Sequence, residues 1–513
     1  MSNVAELLRN AERAAVAKQW DQARDRFLQV LALEEHPSAL LQLSYIESSA
    51  GHYRLAREYA LRACKRTPTS PQAIVWLLSR LRAFNETGEL RAFVRRSPQL
   101  AALDPPKLQL VSAQLSYLGD QEGAASFLDL ALGKAPGVPQ LLLARAQVNV
   151  FRGRFDEAER DLRLCLARAP GMADAWWSQA NLRKQTPAKN HVDELRRRIS
   201  AGALSARDSA YLHSALHKEL DDLGDFHAAA AALEAACKAR RSEQDYDDLE
   251  NHALFEQIKA LPCTHRGTVR SEFTPTFIVG MFRSGTTLLE QLIGGNPQVL
   301  NAGELQDMAA CMRNATDHYC RGVIDPTIVA RAGSADFDQV GRQYLDGVRW
   351  RLDGHSHITD KWPPNHINVG FICQALADAK IIHMVRDPVE TCFSNLREMF
   401  SGAAPYSYDQ HELARYYLRY RDLMRHWQER FPDRILEVDY GRLTAQPETV
   451  MREVAAFCGL DFLPQMLDPR AGNRSVATAS AVQVRNQIVR LPQPKWKRYE
   501  AHLRPLIEGL GLS

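Results

Sequence analysis

The sequence lacks paired cysteines, a long apolar run and a large net charge. Its nine cysteines are scattered singly from Cys64 to Cys458 with no C-x-x-C pair. This pattern indicates neither a disulfide framework nor a zinc site, and it fits a reducing compartment. No run of about 18 uncharged apolar residues occurs, so we expect no membrane span. A formal net charge of +3 does not indicate bulk nucleic-acid binding.

The length of 513 residues exceeds one ordinary hydrophobic core, so we expect two or more domains. The composition, 45% hydrophobic and 24% charged, is typical of a globular protein. The first residues, MSNVAELLRNAERAAVAKQW, carry charges every few positions and do not resemble a signal peptide. We therefore expect a cytoplasmic protein.

Three residue types recur along the first half of the chain with spacings of 34 and 68 residues. They are a glycine, an alanine five residues later and a proline, at Gly51, Gly119 and Gly153, Ala56, Ala124 and Ala158, and Pro68, Pro136 and Pro170. We expect the glycine to end one helix, the alanine to let two helices approach and the proline to close the second helix. This pattern resembles the tetratricopeptide repeat over roughly residues 1–240.

Such repeats stack into a helical solenoid with a concave face. That face is either a structural or dimerisation surface, or a groove that holds a peptide or protein. After Pro275 the pattern changes to strands alternating with helices, with strands expected at 276–280, 357–360, 380–385 and 434–440. We predict an α-helical solenoid with capping helices at 1–261, a linker at 262–275 and an α/β domain with a parallel sheet at 276–513.

The stretch FIVGMFRSGTTLLEQL, which begins at Phe277, has the outline of a phosphate-binding loop. Gly280 and Gly285 have the G-x-x-x-x-G spacing, but Thr286 and Thr287 follow, so the lysine of a nucleotide triphosphatase is missing. The loop contains Arg283 and Ser284 instead. A helix N-terminus behind a glycine turn binds anions, although a plain strand–turn–helix with a Ser/Thr cap has the same outline.

A second candidate site is MVRDPVETCFSNL, in which Arg386 ends a strand and Ser394 lies eight residues later. Arginine offers a fork of donors that suits phosphate, and a serine hydroxyl adds another. An Arg-Asp pair at a strand end is often only an ion pair. This motif therefore indicates a phosphate site only in combination with the glycine loop that precedes it in the chain.

Together the two motifs resemble the sulfotransferases that use 3′-phosphoadenosine 5′-phosphosulfate (PAPS), most closely the tyrosylprotein branch, over about residues 275–513. The resemblance implies that RSGTT, Arg283 to Thr287, holds the 5′-phosphosulfate, that Arg386 and Ser394 hold the 3′-phosphate, and that no metal is required. Joined to the repeats, the arrangement resembles the repeat-containing sulfotransferases of bacteria.

The resemblance also implies catalytic roles. Glu304 in NAGEL falls where the tyrosylprotein branch has its base, but Leu305 replaces the second acid of that branch, which leaves the register open by one residue. Lys361 in TDKWPPN matches the lysine that stabilises the departing oxygen, and Tyr440 matches a tyrosine near the nucleotide. His366 is the reserve base, because the small-molecule sulfotransferases use histidine.

The C-terminal segment TASAVQVRNQIVRLPQPKWKRYE is basic and resembles the part of the family that closes over the nucleotide. We expect contacts from Ser480 and Arg485, although Gln487 stands where the family often has a proline. His357 and His383 show no metal spacing, and we expect both to be structural.

We predict a PAPS-dependent sulfotransferase whose acceptor is a hydroxyl, with protein tyrosine as one class. The alternatives are a P-loop phosphotransferase and a non-catalytic repeat scaffold with a nucleotide-binding domain. Neither the acceptor nor the oligomeric state is indicated by the sequence.

Overall fold

The computed structural model describes residues 2–265, 267–400, 402–471 and 493–512. Helices fill the first half, as the repeat pattern predicts. They are α1 Ser2–Val16, α2 Trp20–Leu33, α3 Pro37–Ser49, α4 Tyr53–Lys65, α5 Pro71–Ala83, α6 Thr87–Arg95, α7 Pro105–Tyr117, α8 Gln121–Lys134, α9 Pro139–Arg152, α10 Phe155–Arg168, α11 Ala173–Leu182, α12 Val192–Ser200, α13 Ala206–Leu223, α14 Phe226–Arg241 and α15 Asp248–Lys259. A short 3₁₀ helix, Pro98–Ala102, precedes α7.

The second half alternates strands and helices. The strands are β1 Thr274–Gly280, β2 Val299–Asn301, β3 His357–Asp360, β4 Lys380–Val385 and β5 Ile435–Asp439. The helices are α16 Thr286–Ile293, α17 Asp307–Thr316, α18 Pro326–Ala332, α19 Phe337–Arg349, α20 Val369–Ala375, α21 Pro388–Leu396, α22 Gln410–Arg430, α23 Tyr440–Ala445, α24 Pro447–Cys458 and α25 Arg504–Gly509. Short 3₁₀ helices lie at Pro363–His366, Pro405–Tyr408, Pro432–Arg434, Pro464–Leu467 and Lys495–Tyr499.

The periodic residues have the positions that a helical repeat requires. The glycines that end the first helix of a pair have left-handed backbones, with φ of 87° at Gly51, 84° at Gly119 and 78° at Gly153. The alanines five residues later are fully buried between the paired helices. Seven residues before the glycine, a serine can bond the opposite helix, since Ser44 Oγ donates to the Ala56 carbonyl at 2.6 Å. The predicted repeat solenoid is confirmed.

The chain forms two compact units. The first comprises Met1–Ala135 and Gln306–Arg351, so α17 to α19 group with the early repeats. Within it, the Trp350 indole donates to the Thr87 hydroxyl at 3.1 Å, and the Arg54 backbone N–H donates to the Asp317 carboxylate at 2.7 Å. The domain limits that we drew from the sequence stay predictions.

The second unit comprises Pro136–Leu305 and Leu352–Ser513 and contains the sheet. Its five strands are all parallel, in the order β2-β3-β1-β4-β5. The predicted parallel sheet is therefore confirmed, with β2 as a strand that the sequence did not indicate. Buried side chains of β1, β4, α16 and α24, such as Ile278, Ile382, Leu289 and Val454, form one hydrophobic core.

Candidate active site

The sequence-predicted residues of the α/β half lie at the carboxyl ends of the strands. Gly280 ends β1, Lys361 follows β3, Arg386 follows β4 and Tyr440 follows β5. Glu304 lies three residues beyond the end of β2. The carboxyl edge of an open parallel sheet is where ligands of such folds bind, because the loops that follow adjacent strands converge there.

The loop after β1 is shaped by close contacts that only glycine allows. A Cβ at Gly285, where φ is +106°, would lie 2.4 Å from the Tyr440 ring. A Cβ at Gly280 would lie 2.6 Å from the Met384 carbonyl oxygen. Arg283, between them, has a φ of 68°, which is uncommon for a residue with a side chain. The loop is therefore held in a fixed, unusual conformation.

The start of α16 offers groups suited to an anion. In the described part of the chain, no side-chain cap hydrogen bond forms at Gly285, the N-cap of this helix, and the first N–H groups of a helix have no partner within it. The Ser284 side chain is 1% exposed, yet its Oγ has no hydrogen-bond partner among the described residues. Thr286 and Thr287 are buried beside it. A buried hydroxyl without a partner is costly, so this loop fits a phosphate or sulfate group that would accept from it.

Arg283 joins this loop to the second motif. Its Nε donates to Ser394 Oγ at 3.1 Å, and Nη1 lies 3.7 Å from the Glu398 carboxylate. Burial lowers the pKa of Arg283, while the Glu398 charge opposes that effect. Burial likewise raises the pKa of Glu398. The first loop and the helix that carries Ser394 thus meet at one guanidinium.

Arg386 is oriented by three neighbours. Nη2 donates to Glu390 at 3.0 Å, Nη1 donates to the Arg283 carbonyl at 3.3 Å, and the guanidinium lies 4.6 Å from the centre of the Tyr440 ring. The structure therefore brings Arg283, Ser394, Arg386 and Tyr440 together, as the sequence predicted, although their roles stay predictions.

Glu304 and Lys361 form a direct ion pair. Lys361 Nζ donates to Glu304 Oε1 at 2.6 Å, and the Lys361 side chain is 0% exposed against 37% for Glu304. The backbone holds this register, because the Lys361 N–H donates to the Gly303 carbonyl at 2.9 Å. Leu305, the next residue, is buried. The role of Glu304 as the base stays a prediction.

A buried acid, Glu290 of α16, supports this pair. Its Oε1 accepts the Gly303 N–H and the Thr359 hydroxyl, both at 3.0 Å. Burial raises the pKa of Glu290, and the Lys361 charge opposes that rise. Glu290 therefore links the helix of the anion loop to the turn that carries Glu304.

His366, the reserve base, is packed among aromatic rings. Its ring centre lies 5.0 Å from that of Tyr420, and Nδ1 lies 3.1 Å from the Pro363 carbonyl. Burial lowers the pKa of His366 to about 4. His383 is also fully buried, with Nε2 at 2.5 Å from the Tyr420 hydroxyl. Both rings are buried, and the roles of the two histidines stay predictions.

Ser480 and Arg485 lie outside the described residues. Within the described ranges, no group of three or more His, Cys, Asp or Glu side chains is arranged to hold a metal ion. In those same parts of the chain, no helix has the length and apolar character that crossing a membrane demands.

Four residues of the site were missed by the sequence reasoning. They are Glu290, Glu390, Asn395 and Glu398. Glu290 had a usable signal, because an acid inside the apolar stretch TTLLEQLI is rarely buried without a partner. Asn395 Nδ2 donates to the Phe282 carbonyl at 2.7 Å and so ties α21 to the loop, but nothing in its sequence neighbourhood indicates this contact.

Comparison with known proteins finds a family-model match within the C-terminal half. Residues 275–464 match the model of the sulfotransferase family. An uncharacterized protein of Aquifex aeolicus (strain VF5) is 29% identical over 399 residues, which cover 75% of this chain and 52% of the relative. The chain thus spans about half the length of that relative.

Two solved structures are similar in part. The sulfotransferase domain of the Synechococcus PCC 7002 olefin synthase is 17% identical, with a TM-score of 0.30 over 47% of this chain and 96% of that one. A thermophilic TPR protein of Thermus thermophilus is 20% identical, with a TM-score of 0.25 over 35% of this chain and 98% of that one.

Proposed function

We propose that this chain, whose residues 275–464 match the sulfotransferase family model, moves a sulfuryl group from PAPS to a hydroxyl of its acceptor. The observation that carries the proposal is the anion loop at the start of α16. Among the described residues, the buried Ser284 hydroxyl has no hydrogen-bond partner and no side chain caps the helix, and Thr286 stands where a triphosphatase has lysine.

The loop from Arg283 to Thr287 would hold the 5′-phosphosulfate, and Arg386 with Ser394 would hold the 3′-phosphate. The contact of Arg283 with Ser394 supports this division, because it joins the two anion sites. The Tyr440 ring, which lies against both Gly285 and Arg386, would limit the space beside the nucleotide. PAPS supplies the sulfuryl group and leaves as adenosine 3′,5′-bisphosphate.

Glu304 is the proposed general base. Its Oε1 accepts a hydrogen bond from Lys361. Because the carboxylate is partly exposed, its other oxygen can accept a hydrogen bond from the hydroxyl group of the substrate. As the acceptor oxygen bonds to sulfur, the hydroxyl proton moves to Glu304, and the electron pair of the broken S–O bond stays on the departing phosphate. Lys361 would neutralise charge on that departing oxygen.

We propose a macromolecular acceptor held by the repeats, with peptide tyrosine as the class that the family resemblance implies. The support is the helical repeat pattern, because stacked repeats of this kind commonly form extended concave binding surfaces. This acceptor proposal is tested by substitutions on the surface of the repeats: variants that keep the nucleotide affinity of the wild type should turn over the macromolecular acceptor more slowly.

The donor assignment is tested by calorimetry with adenosine 3′,5′-bisphosphate and 5′-AMP. The bisphosphate should bind much more tightly, because only it carries the 3′-phosphate. Arg386→Ala should remove most of that preference, at a cost of about 2–4 kcal/mol. Arg452→Ala is the control, since Arg452 is exposed and pairs with Glu448 on the surface of α24. Equal affinity of the wild type for both nucleotides would contradict the assignment.

A further inference from the structure

Among the last repeat helices, α13 touches the candidate nucleotide site through a partly buried carboxylate. Asp221, on α13, accepts from Arg397 Nη2 at 2.6 Å and from the Tyr499 hydroxyl at 2.6 Å. Burial acts to raise the pKa of Asp221, but Arg397 and the Tyr499 hydrogen bond outweigh it and the pKa is lowered. The carboxylate is therefore charged and shared between two separate parts of the α/β half.

Arg397 is held at a second point by the same helix. Its Nε donates to His217 Nε2 at 2.9 Å, and His217 Nδ1 lies 2.8 Å from the Ala229 carbonyl. Burial, followed by the Arg397 charge, lowers the pKa of His217 to about 3. A neutral ring with its proton on Nδ1 accounts for both contacts. Helix α13 thus fixes the orientation of the Arg397 guanidinium.

Arg397 stands next to the proposed anion contacts. It directly follows α21, the helix that carries Ser394, and its positive charge is one of those that lower the pKa of Arg283 after burial. Arg386 and Lys495 lie in the same neighbourhood, because both Arg397 and Arg386 lower the pKa of Lys495 after burial. Asp221 is one of the acids that balance this group of cations.

Tyr499 connects Asp221 to Arg386 through the C-terminal segment. Its ring lies 4.8 Å from that of Phe393 on α21. Three residues earlier, the Trp496 backbone N–H donates to Glu390 Oε2 at 3.2 Å, while the other oxygen of Glu390 accepts from Arg386. The short helix Lys495–Tyr499 is therefore anchored at one end to the repeat and at the other to the partner of Arg386.

We infer that Asp221 is a positioning residue for the 3′-phosphate end of the nucleotide site. It holds Arg397 beside Arg283, and through Tyr499 it holds the segment that contacts Glu390. The inference rests on the proposed PAPS site. It implies that helix α13, although part of the repeats, helps to hold the nucleotide site in place. The nucleotide itself need not touch Asp221.

The test compares Asp221→Asn with Asp248→Asn in the full-length chain. Asp248 is a matched control, because it lies on another helix of the N-terminal half, α15, and also pairs with arginine and tyrosine side chains, Arg415, Arg419 and Tyr246, none of which is a proposed anion contact. Calorimetry gives the ratio of affinities for adenosine 3′,5′-bisphosphate and 5′-AMP. A general loss of folded protein would lower both affinities and leave their ratio unchanged.

Asp221→Asn should lower that ratio about tenfold, and Asp248→Asn should leave it unchanged. Tyr499→Phe removes the hydroxyl that bonds Asp221 and leaves the ring in place, so it should also lower the affinity ratio. This variant provides the test if Asp221→Asn does not fold. The inference would be overturned if the affinity ratio were unchanged in Asp221→Asn and Tyr499→Phe, or if it fell equally in Asp248→Asn. A wild type without any preference would instead overturn the proposed donor site.

Discussion

Replacing Lys361 by methionine should destabilise the protein in a way that depends on pH. Methionine has a similar shape, so the change removes mainly the ammonium group. Lys361 is fully buried, and its charge opposes the rise in pKa that burial imposes on Glu290. Without it, Glu290 must either ionise in a buried place without a nearby cation or remain protonated.

The loss of stability in Lys361→Met depends on whether Glu290 is ionised or protonated. Removing one partner of a buried charge pair costs about 3–5 kcal/mol when the other stays ionised. A carboxyl whose pKa is raised in the folded state binds its proton more tightly there, so the folded protein loses stability as pH rises through the two pKa values. The deficit of Lys361→Met should therefore be small near pH 5 and large near pH 8.5.

The assay is the thermal unfolding midpoint at those two pH values, for Lys361→Met, Glu290→Gln and the double variant. The double variant should recover most of the midpoint lost at high pH, because no buried charge is left over. Lys497→Met is the control, since Lys497 and its partner Glu500 are both exposed. An equal deficit at both pH values, or a double variant no more stable than Lys361→Met, would refute the reasoning.

Three further predictions concern the anion loop and the base. Ser284→Ala should leave the thermal unfolding midpoint of the nucleotide-free protein unchanged or higher, because the Ser284 hydroxyl has no hydrogen-bond partner among the described residues. The same change should weaken the binding of adenosine 3′,5′-bisphosphate, measured by calorimetry, by about 1 kcal/mol or more. Gly285→Ala should abolish bisphosphate binding, because its Cβ would lie 2.4 Å from the Tyr440 ring; full affinity would show that the loop adjusts. Glu304→Gln should lower kcat on an alkyl alcohol about 10²–10⁴-fold but much less on a nitrophenol, while bisphosphate affinity stays within a few-fold. Full activity on the alcohol would make Glu304 structural.

The sequence predicted the features that depend on local pattern. The 34-residue period fixes where helices end, and the apolar runs before Gly280 and Arg386 indicate buried strands. The strand expected at 434–440 ends at Asp439 instead, because the Asp439 carboxylate accepts the Arg442 N–H at 2.7 Å and begins a helix at Tyr440.

Features that depend on distant parts of the chain could not be predicted in this way. Strand β2, Val299–Asn301, is too short to show alternation, and it exists because it pairs with β3. The sequence predicts Ser394 only as a phosphate contact, whereas in the structure its hydroxyl also accepts a hydrogen bond from Arg283, a residue 111 positions earlier. The grouping of Gln306–Arg351 with the first repeats likewise depends on contacts between remote segments.

The contacts of the last repeats also affect how the protein should be divided. Arg241 of α14 bonds the Glu412 carboxylate at 2.8 and 2.9 Å, and Lys259 of α15 bonds Asp422 of α22 at 2.7 Å. A truncation at residue 262 would leave these acids without their partners. Point variants in the full-length chain are therefore the better experiment for separating the repeats from the transferase chemistry.

The central claim is that this chain transfers a sulfuryl group from PAPS, and label transfer tests it most directly. The full-length protein would be incubated with sulfur-labelled PAPS or with phosphate-labelled ATP–Mg²⁺, each with the same mixture of peptides, sugars and phenols. We expect sulfur label on an acceptor and an equal amount of adenosine 3′,5′-bisphosphate. With Glu304→Gln and an alcohol acceptor, both products should form about 10²–10⁴-fold more slowly. Phosphate label on an acceptor, with no sulfur label from PAPS, would contradict the account.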